Sequence, residues 1–390
     1  MKQIITTTTA LAEFCERLSA EPFVTLDTEF IREKTYWPQL CLIQMAGAQE
    51  AWAIDPLAEG MDLSPLYALL ANPKVLKVLH AARQDMEIFF LAMGKTLPQP
   101  IFDTQVAAQV AGLGESVGYE ALVKQLLGKS LDKSQRFTDW ARRPLTEAQI
   151  DYALGDVIYL HEAYRKLVAR IEKHGRMGWI AEEMQELHNP ALYLIEPDMA
   201  WERIRLRASH PRQLGRLKLL AAWREMLAQR EDIPRIRIIR DETLVELATN
   251  LPATEAEMEA VRGFPQHLKR GWRQELWQVI ETARNLPKES WPPLPKHDPL
   301  PAQAEGRLEI LKLLLKQCAR DADVTPRLIA DKDGLELLAR NKLDPEKDAA
   351  HPLMHGWRWE VFGNAAYQML QGKMAIRLHP VTGAVVIEAL

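Results

Sequence analysis

The sequence predicts an α/β domain built on a mixed sheet, followed by two all-α helical modules. Three observations lead there. Short β-rich runs alternate with helical patterns at the start of the chain, the stretch from Gly118 to His188 is helical throughout, and a helical region beyond Pro197 recurs after a proline-rich stretch. With 390 residues the chain has room for roughly two to four domains. Its 47% apolar and 26% charged residues exclude a disordered tail, a collagen-like fibre and a low-complexity scaffold.

Phe23 to Phe30, Leu40 to Ala46, Ala51 to Asp55 and Val75 to His80 read as strands, with a fifth element near Ile101 to Phe102. Only short connections separate the first three, which predicts an antiparallel meander; the helix-sized spacings after them predict parallel additions. Asp103 fits the N-cap of a helix from Gln105 to Val110. Pro144 precedes Thr146-x-x-Gln149, a capping-box sequence that starts a long helix through Tyr152, Asp156 and Leu160.

The next helical region has apolar spacing at Leu217, Leu220, Ala221 and Leu227 and a break at Pro234. Between Trp201 and Ser290 there are 17 Lys plus Arg against 13 Asp plus Glu, so positive charge gathers here in a chain of net charge −4. Trp291 to Pro301 is proline-rich and predicts an extended spacer of roughly 34 Å at about 3.1 Å per residue, long enough to let the last module stand apart. Beyond it, Pro326-Arg327, Leu335 and Ala339 echo Pro234-Arg235, Leu244 and Ala248, and His355-Gly356-Trp357 echoes Arg262-Gly263-Phe264. An offset of about 92 residues implies a duplicated helical module. Ala375 to Leu390 reads as a short β element outside that pattern. No apolar run approaches the roughly 18 residues of a membrane span and the start lacks a signal-peptide core, so the cytoplasm is the expected compartment. Cys15, Cys41 and Cys318 are too few and scattered for a disulfide framework and read as buried thiols.

Candidate chemistry begins with Asp27-Thr28-Glu29, whose two carboxylates share one face of a strand. An acidic pair inside an otherwise apolar strand costs several kcal/mol if buried without a cation. Asp85 follows the fourth strand in the first turn of a helix, where capping and metal binding compete as explanations. Tyr152 and Asp156 lie four apart on the long helix and share a face. Taken together, Asp27, Glu29, Asp85 and Asp156 stand where an α/β sheet brings residues to one rim; divalent cations would relieve their repulsion, and all-oxygen ligands select Mg²⁺ or Mn²⁺. A two-metal cluster suits in-line displacement at phosphorus. His80 fits a structural hydrogen-bond partner better than a ligand.

Asp27-Thr28-Glu29-Phe30, His80-x4-Asp85 and Tyr152-x3-Asp156 stand in the order of the three exonuclease motifs of the DEDD superfamily, which these residues resemble, the tyrosine marking its DEDDy branch. Tyr36-x-Pro38-x-Leu40-Cys41-Leu42-Ile43-Gln44 and Leu131 to Leu145 extend the resemblance to the bacterial ribonuclease D family over most of residues 20 to 165. The duplicated module resembles the helicase-and-RNase-D C-terminal (HRDC) domain. The resemblance implies a ribonuclease H-like nuclease domain over 1–195, HRDC-type domains over 208–289 and 302–382, and a proline-rich linker over 290–301.

It further implies two Mg²⁺ or Mn²⁺ ions held by Asp27, Glu29, Asp85 and Asp156, a water oriented by Tyr152, and removal of mononucleotides from RNA 3′ ends, tRNA precursors being the expected substrate with no obligate protein partner. Lys133, Arg136, Arg142 and Arg143 precede the catalytic helix and are candidate phosphate contacts; Trp140 and Phe137 are candidates either for base stacking or for pinning this loop, with core packing favoured for Trp140. On this reading the chemistry resides wholly in the first domain, and a chain cut after His188 keeps activity on short strands. Two rivals are a Werner-type DNA exonuclease, disfavoured by the absence of helicase motifs, and a catalytically silent RNA-binding scaffold, disfavoured by intact acids and tyrosine at all three motifs.

Overall fold

The structure, a computed structural model, describes residues 3–294 and 298–390. Part of the expected spacer, residues 295–297, therefore lies outside the described residues. The first elements are β1 (Ile4–Ile5), α1 (Thr8–Leu18), β2 (Phe23–Ile31), β3 (Gln39–Ala46), β4 (Ala51–Ile54), α2 (Ser64–Ala71), β5 (Leu76–Leu79), α3 (Arg83–Ala92), β6 (Ile101–Asp103) and α4 (Thr104–Val110). The strands form one six-stranded sheet in the order β1-β4-β3-β2-β5-β6. β3 and β4 pair antiparallel, whereas β5 joins β2 and β6 joins β5 in parallel, so the sheet is mixed as the spacings predict. Nothing in the pattern announces β1, because two isoleucines are too short a run to show periodicity; it pairs parallel with β4 at the sheet edge.

Three helices come next: α5 (Tyr119–Leu127), α6 (Glu147–Lys173) and α7 (Met177–Glu186). α6 starts where the capping box places it: the Gln149 amide donates to the Thr146 hydroxyl at 3.2 Å, and the Thr146 amide donates to the Gln149 side chain at 3.0 Å. Its buried face includes Ile150, Ala153, Leu154, Val157 and Leu160. The Thr25 hydroxyl, buried on β2, donates to the Val157 carbonyl at 2.8 Å and sets the strand against the helix. On β5, fully buried Lys77 donates to the carbonyls of Asn72 at 2.9 Å and Val75 at 2.8 Å, and to that of Gln99. Those bonds compensate a buried ammonium that would otherwise be costly.

By internal contacts the chain divides into two compact units, Met1–Thr28 with Leu42–Asn189 and Asp298–Leu390, and Glu29–Cys41 with Pro190–His297. The division passes through β2. In the second unit, α8 (Pro211–Glu231), α9 (Arg235–Ile238), α10 (Asp241–Asn250), α11 (Glu255–Glu259) and α12 (Arg270–Arg284) close on a core containing Leu217, Leu220, Trp223, Leu247 and Ile280, with Tyr36 in it.

After the spacer come α13 (Ala302–Asp321), α14 (Pro326–Ile329), α15 (Lys332–Ala339), α16 (Gly356–Arg358), α17 (Asn364–Leu370) and an antiparallel hairpin of β7 (Met374–Leu378) and β8 (Val385–Ala389). A long helix, a four-residue helix and a third helix recur in that order in α8–α10 and α13–α15. Gly263 and Gly356, the glycines of the echoed tripeptides, both take positive φ, +78° and +58°. The expectation that the spacer lets this last module stand apart is corrected, since residues 298–390 pack into the same compact unit as the sheet. Arg176 bridges the two parts by donating to the Val110 carbonyl at 2.9 Å and to the Ala322 carbonyl, and Trp179 stacks on Trp357 with ring centroids 4.2 Å apart. Their buried apolar side chains form one core, running from Phe102 and Leu167 to Leu314, Leu338 and Phe362. Extended backbone supplies reach, but apolar burial decides where the module rests.

Thr25→Val preserves side-chain shape and deletes the hydroxyl that joins β2 to α6. We expect a loss of about 1 kcal/mol of stability, read as a lower urea midpoint at unchanged slope; an unchanged midpoint would show that apolar packing alone sets this contact.

Candidate active site

Side chains two apart on a strand point the same way, so β2 presents Asp27 and Glu29 together. α6, set against β2 by Thr25, brings Asp156 to them. Each of the three acids offers an oxygen within 4.8 Å of the others, and all three are half-buried. At about 5 Å and an effective dielectric of 20, two such charges repel by roughly 3 kcal/mol. Burial pushes the Asp156 carboxyl up to about 7, against the opposing pull of the Arg136 charge. Three hard oxygen donors at one point suit a divalent cation of the Mg²⁺ or Mn²⁺ kind.

Asp85 is not one of that trio. It lies buried in the first turn of α3 and accepts a hydrogen bond from Thr28, the residue between Asp27 and Glu29. Burial pushes its carboxyl up to about 7, the Thr28 bond opposing and the Asp103 charge adding to the rise. Asp103 caps α4 as expected, accepting from the Gln105 amide at 2.7 Å, and it also accepts from the amides of Ala81 at 3.0 Å and Ala82 at 2.8 Å. One carboxylate thereby fastens the turn that leads into α3, where Ala81 sits at φ +57°. His80 has the structural role expected of it: Thr104 donates its hydroxyl proton to the Leu79 carbonyl at 2.9 Å, so the His80 Nδ1–H donates to Thr104 at 3.0 Å.

Tyr152 stands one helical turn before Asp156, half-buried, with its ring 6.1 Å from that of Trp140. Trp140 is 2% exposed and pins the loop to the core, which removes it as a stacking platform. The Arg143 guanidinium forks onto buried Asp55 with two bonds of 2.7 Å and donates to the Trp140 carbonyl at 2.7 Å. Arg143 holds the approach to α6 in place. Lys133 pairs with Glu120 on the surface. Arg136 is exposed, its guanidinium 5.3 Å from the ring centroid of Phe137, itself 91% exposed.

Sequence reasoning missed Tyr119. Its hydroxyl donates to the Gly155 carbonyl at 3.1 Å, immediately before Asp156, and burial together with the charges of Asp156 and Asp27 drives its ionisation far up, so it stays a donor. Only a phenol opening α5 marks it in the sequence, and that position is silent about α6. Asp55 was missed for the same reason, since its partner lies 88 residues away.

The raised carboxyls fix the sign of a pH effect. A cation binds the carboxylate form, so at pH 6 it must displace protons that Asp85 and Asp156 still hold, whereas at pH 8 it meets them ionised. The rise in Tm on adding Mn²⁺ is therefore expected to be larger at pH 8 than at pH 6. An equal rise at both, measured by calorimetry, would mean that these carboxyls take no part in cation binding.

Residues 2–172 match the 3′-5′ exonuclease family and residues 213–280 the HRDC domain family. The chain is 45% identical over 374 residues to a ribonuclease D of Gluconacetobacter diazotrophicus, covering 96% of this chain and 94% of that one. A ribonuclease D of Acidiphilium cryptum is 46% identical over 375 residues, with the same coverage. Among solved structures, Escherichia coli RNase D, described as an exoribonuclease involved in structured RNA processing, superposes with a TM-score of 0.82 at 34% identity, over 95% of this chain and 99% of that chain. With sequence and fold in agreement along nearly its whole length, and the acidic cluster in its exonuclease region, the chain belongs to the ribonuclease D family of 3′-5′ exoribonucleases.

Proposed function

We propose that the chain removes mononucleotides from RNA 3′ ends by hydrolysis with two divalent ions, Mg²⁺ or Mn²⁺, held by Asp27, Glu29, Asp85 and Asp156. The observation that carries this reading is the convergence of Asp27, Glu29 and Asp156 within 4.8 Å. When bound, the ions would lower the pKa of water and stabilise the leaving 3′ oxygen. The remaining steps belong to the chain. The three converging acids hold positive charge at one rim, and Asp85, tied to β2 through Thr28, adds a fourth oxygen donor behind them. Tyr152 presents a hydroxyl on the face of α6 that carries Asp156, and in this reading it orients the attacking water. Arg136 lies near enough for its charge to act on Asp156, and with exposed Phe137 it offers a phosphate contact and a stacking face.

For the substrate we propose structured RNA precursors, tRNA with 3′ extensions foremost, handled in the cytoplasm without an obligate protein partner. The solved relative's described role in structured RNA processing supports the substrate class. The excess of 17 basic over 13 acidic residues between Trp201 and Ser290 supports RNA binding by the first helical domain, proposed to span 208–289. A nuclease domain over 1–195, a linker over 290–301 and a second helical domain over 302–382 complete the proposed division.

Asp27→Asn or Asp156→Asn is expected to lower turnover by more than the ~100-fold upper range of outer-sphere changes, with circular dichroism unchanged. Activity of both folded variants within tenfold of the parent would remove these acids from the site. Tyr152→Phe is expected to lower kcat by ~10² to 10⁴ while RNA affinity holds; full kcat with weakened binding would make the tyrosine a substrate contact.

A further inference from the structure

β2 is longer than its partner on one side. Its pairing with β5 covers Phe23 to Thr25, while the strand runs on to Ile31, so Glu29 lies beyond that ladder. A few residues past the end of β2 the chain reaches Tyr36, which is 5% exposed in the core of the helical unit to which Glu29–Cys41 belongs. Tyr36 donates its hydroxyl proton to Glu225, which is 1% exposed on α8, and accepts from Arg235 at 3.0 Å and Gln229 at 3.2 Å. Arg235 forks onto the same carboxylate, one bond being 2.7 Å, and its guanidinium sits 4.8 Å from the Tyr36 ring centroid.

The backbone is held too. Asp232, at φ +50° where α8 ends, accepts from the amides of Tyr36 at 3.0 Å and Trp37 at 2.9 Å, and Arg32 closes the turn by donating to the Tyr36 carbonyl at 2.9 Å. Burial opposes ionisation of Glu225, but the bonds from Arg235 and Tyr36 win and keep its carboxyl below the usual range. The Tyr36 hydroxyl and both Glu225 oxygens have partners, and such buried networks specify one geometry. An apolar contact would have packed the loop equally well and allowed it to slide.

We propose that Tyr36 is a positioning residue for Glu29, and that the first helical domain thereby helps build the metal site through Glu225, Arg235 and Asp232. The inference rests on Glu29 being a metal ligand. It also amends the expectation that chemistry resides wholly in the first domain: a cut after His188 removes the whole core that covers Tyr36.

The test uses the full chain, with Mn²⁺ affinity measured by calorimetry without RNA, and kcat and KM on a single-stranded RNA of about four nucleotides, at the short end of the ~4 to 16 nucleotides a binding module covers. Tyr36→Phe and Glu225→Gln are each expected to weaken Mn²⁺ binding about tenfold and lower kcat by a similar factor with KM held, outer-sphere changes being worth ~10 to 100-fold. In a Glu29→Gln background, Tyr36→Phe is expected to change Mn²⁺ affinity no further. Normal Mn²⁺ affinity and kcat in both clamp variants, with only Tm lowered, would overturn the proposal and leave a purely structural contact. An undiminished effect of Tyr36→Phe in the Glu29→Gln background would overturn it too, since the clamp would then act elsewhere. If Glu29→Gln alone leaves Mn²⁺ affinity intact, the metal role of Glu29 fails first, and the clamp proposal falls with it for a separate reason.

Discussion

The contact on which the site depends is the seating of β2 against α6, because the exonuclease motifs lie on different elements and have no local reason to meet. β2 supplies Asp27 and Glu29 through the two-residue period of a strand; α6 supplies Tyr152 and Asp156 through the four-residue spacing of a helix. Apolar side chains would tolerate several slides of one against the other. The buried bond from the Thr25 hydroxyl to the Val157 carbonyl does not, as it pairs one residue of the strand with one of the helix. Asp27 stands two residues from the donor and Asp156 is next to the acceptor, so this single bond fixes how the first acid meets the last. Tyr119 adds a second hold on α6 through the Gly155 carbonyl.

Gathering carboxylates in a half-buried place costs stability, and the surroundings show how the fold carries that cost. Asp85 and Asp156 lie high in their carboxyl range because burial disfavours their charge. The elements that carry them are fastened by polar bonds nearby. Asp103 fastens the turn before α3, Arg143 and Asp55 the approach to α6, and Lys77 the carbonyls around β5. Each is a charge whose bonding is met within the protein, the condition under which such groups are tolerated away from water.

How much of this was legible depends on the range of each signal. β2 through β6, the capping box that opens α6 and the Asp103 cap are local patterns, and the structure places them within a residue or two of where the pattern points. The acids were legible as a motif order, and the structure brings Asp27, Glu29 and Asp156 together with Asp85 bonded to Thr28 beside them. The pairing of Arg143 with Asp55 was not legible, because the two lie 88 residues apart and only the fold brings them together. Tyr119 and Asp55 could not be read, since what they do depends on partners far along the chain. The last helical module misled for a thermodynamic reason: a proline-rich spacer permits separation, but the apolar faces of α13 and α15 find partners in α7 and its neighbours, and burial outweighs reach.

The network at Tyr36 shows why a boundary drawn along the sequence differs from a boundary in the molecule. A cut near residue 195 would separate the motif residues from the helices that follow α7. Yet the segment after Glu29 is folded with α8 and the residue that ends it, whose Glu225 and Asp232 hold its side chain and its amides. A loop of polar and aromatic residues between two strands has little apolar surface to order itself, so its conformational entropy must be offset by something it docks against. Charged, directional bonds do this with less freedom to slip than apolar contact would allow. By its bonds, the loop between β2 and β3 therefore belongs with the helical unit, although in sequence it interrupts the sheet.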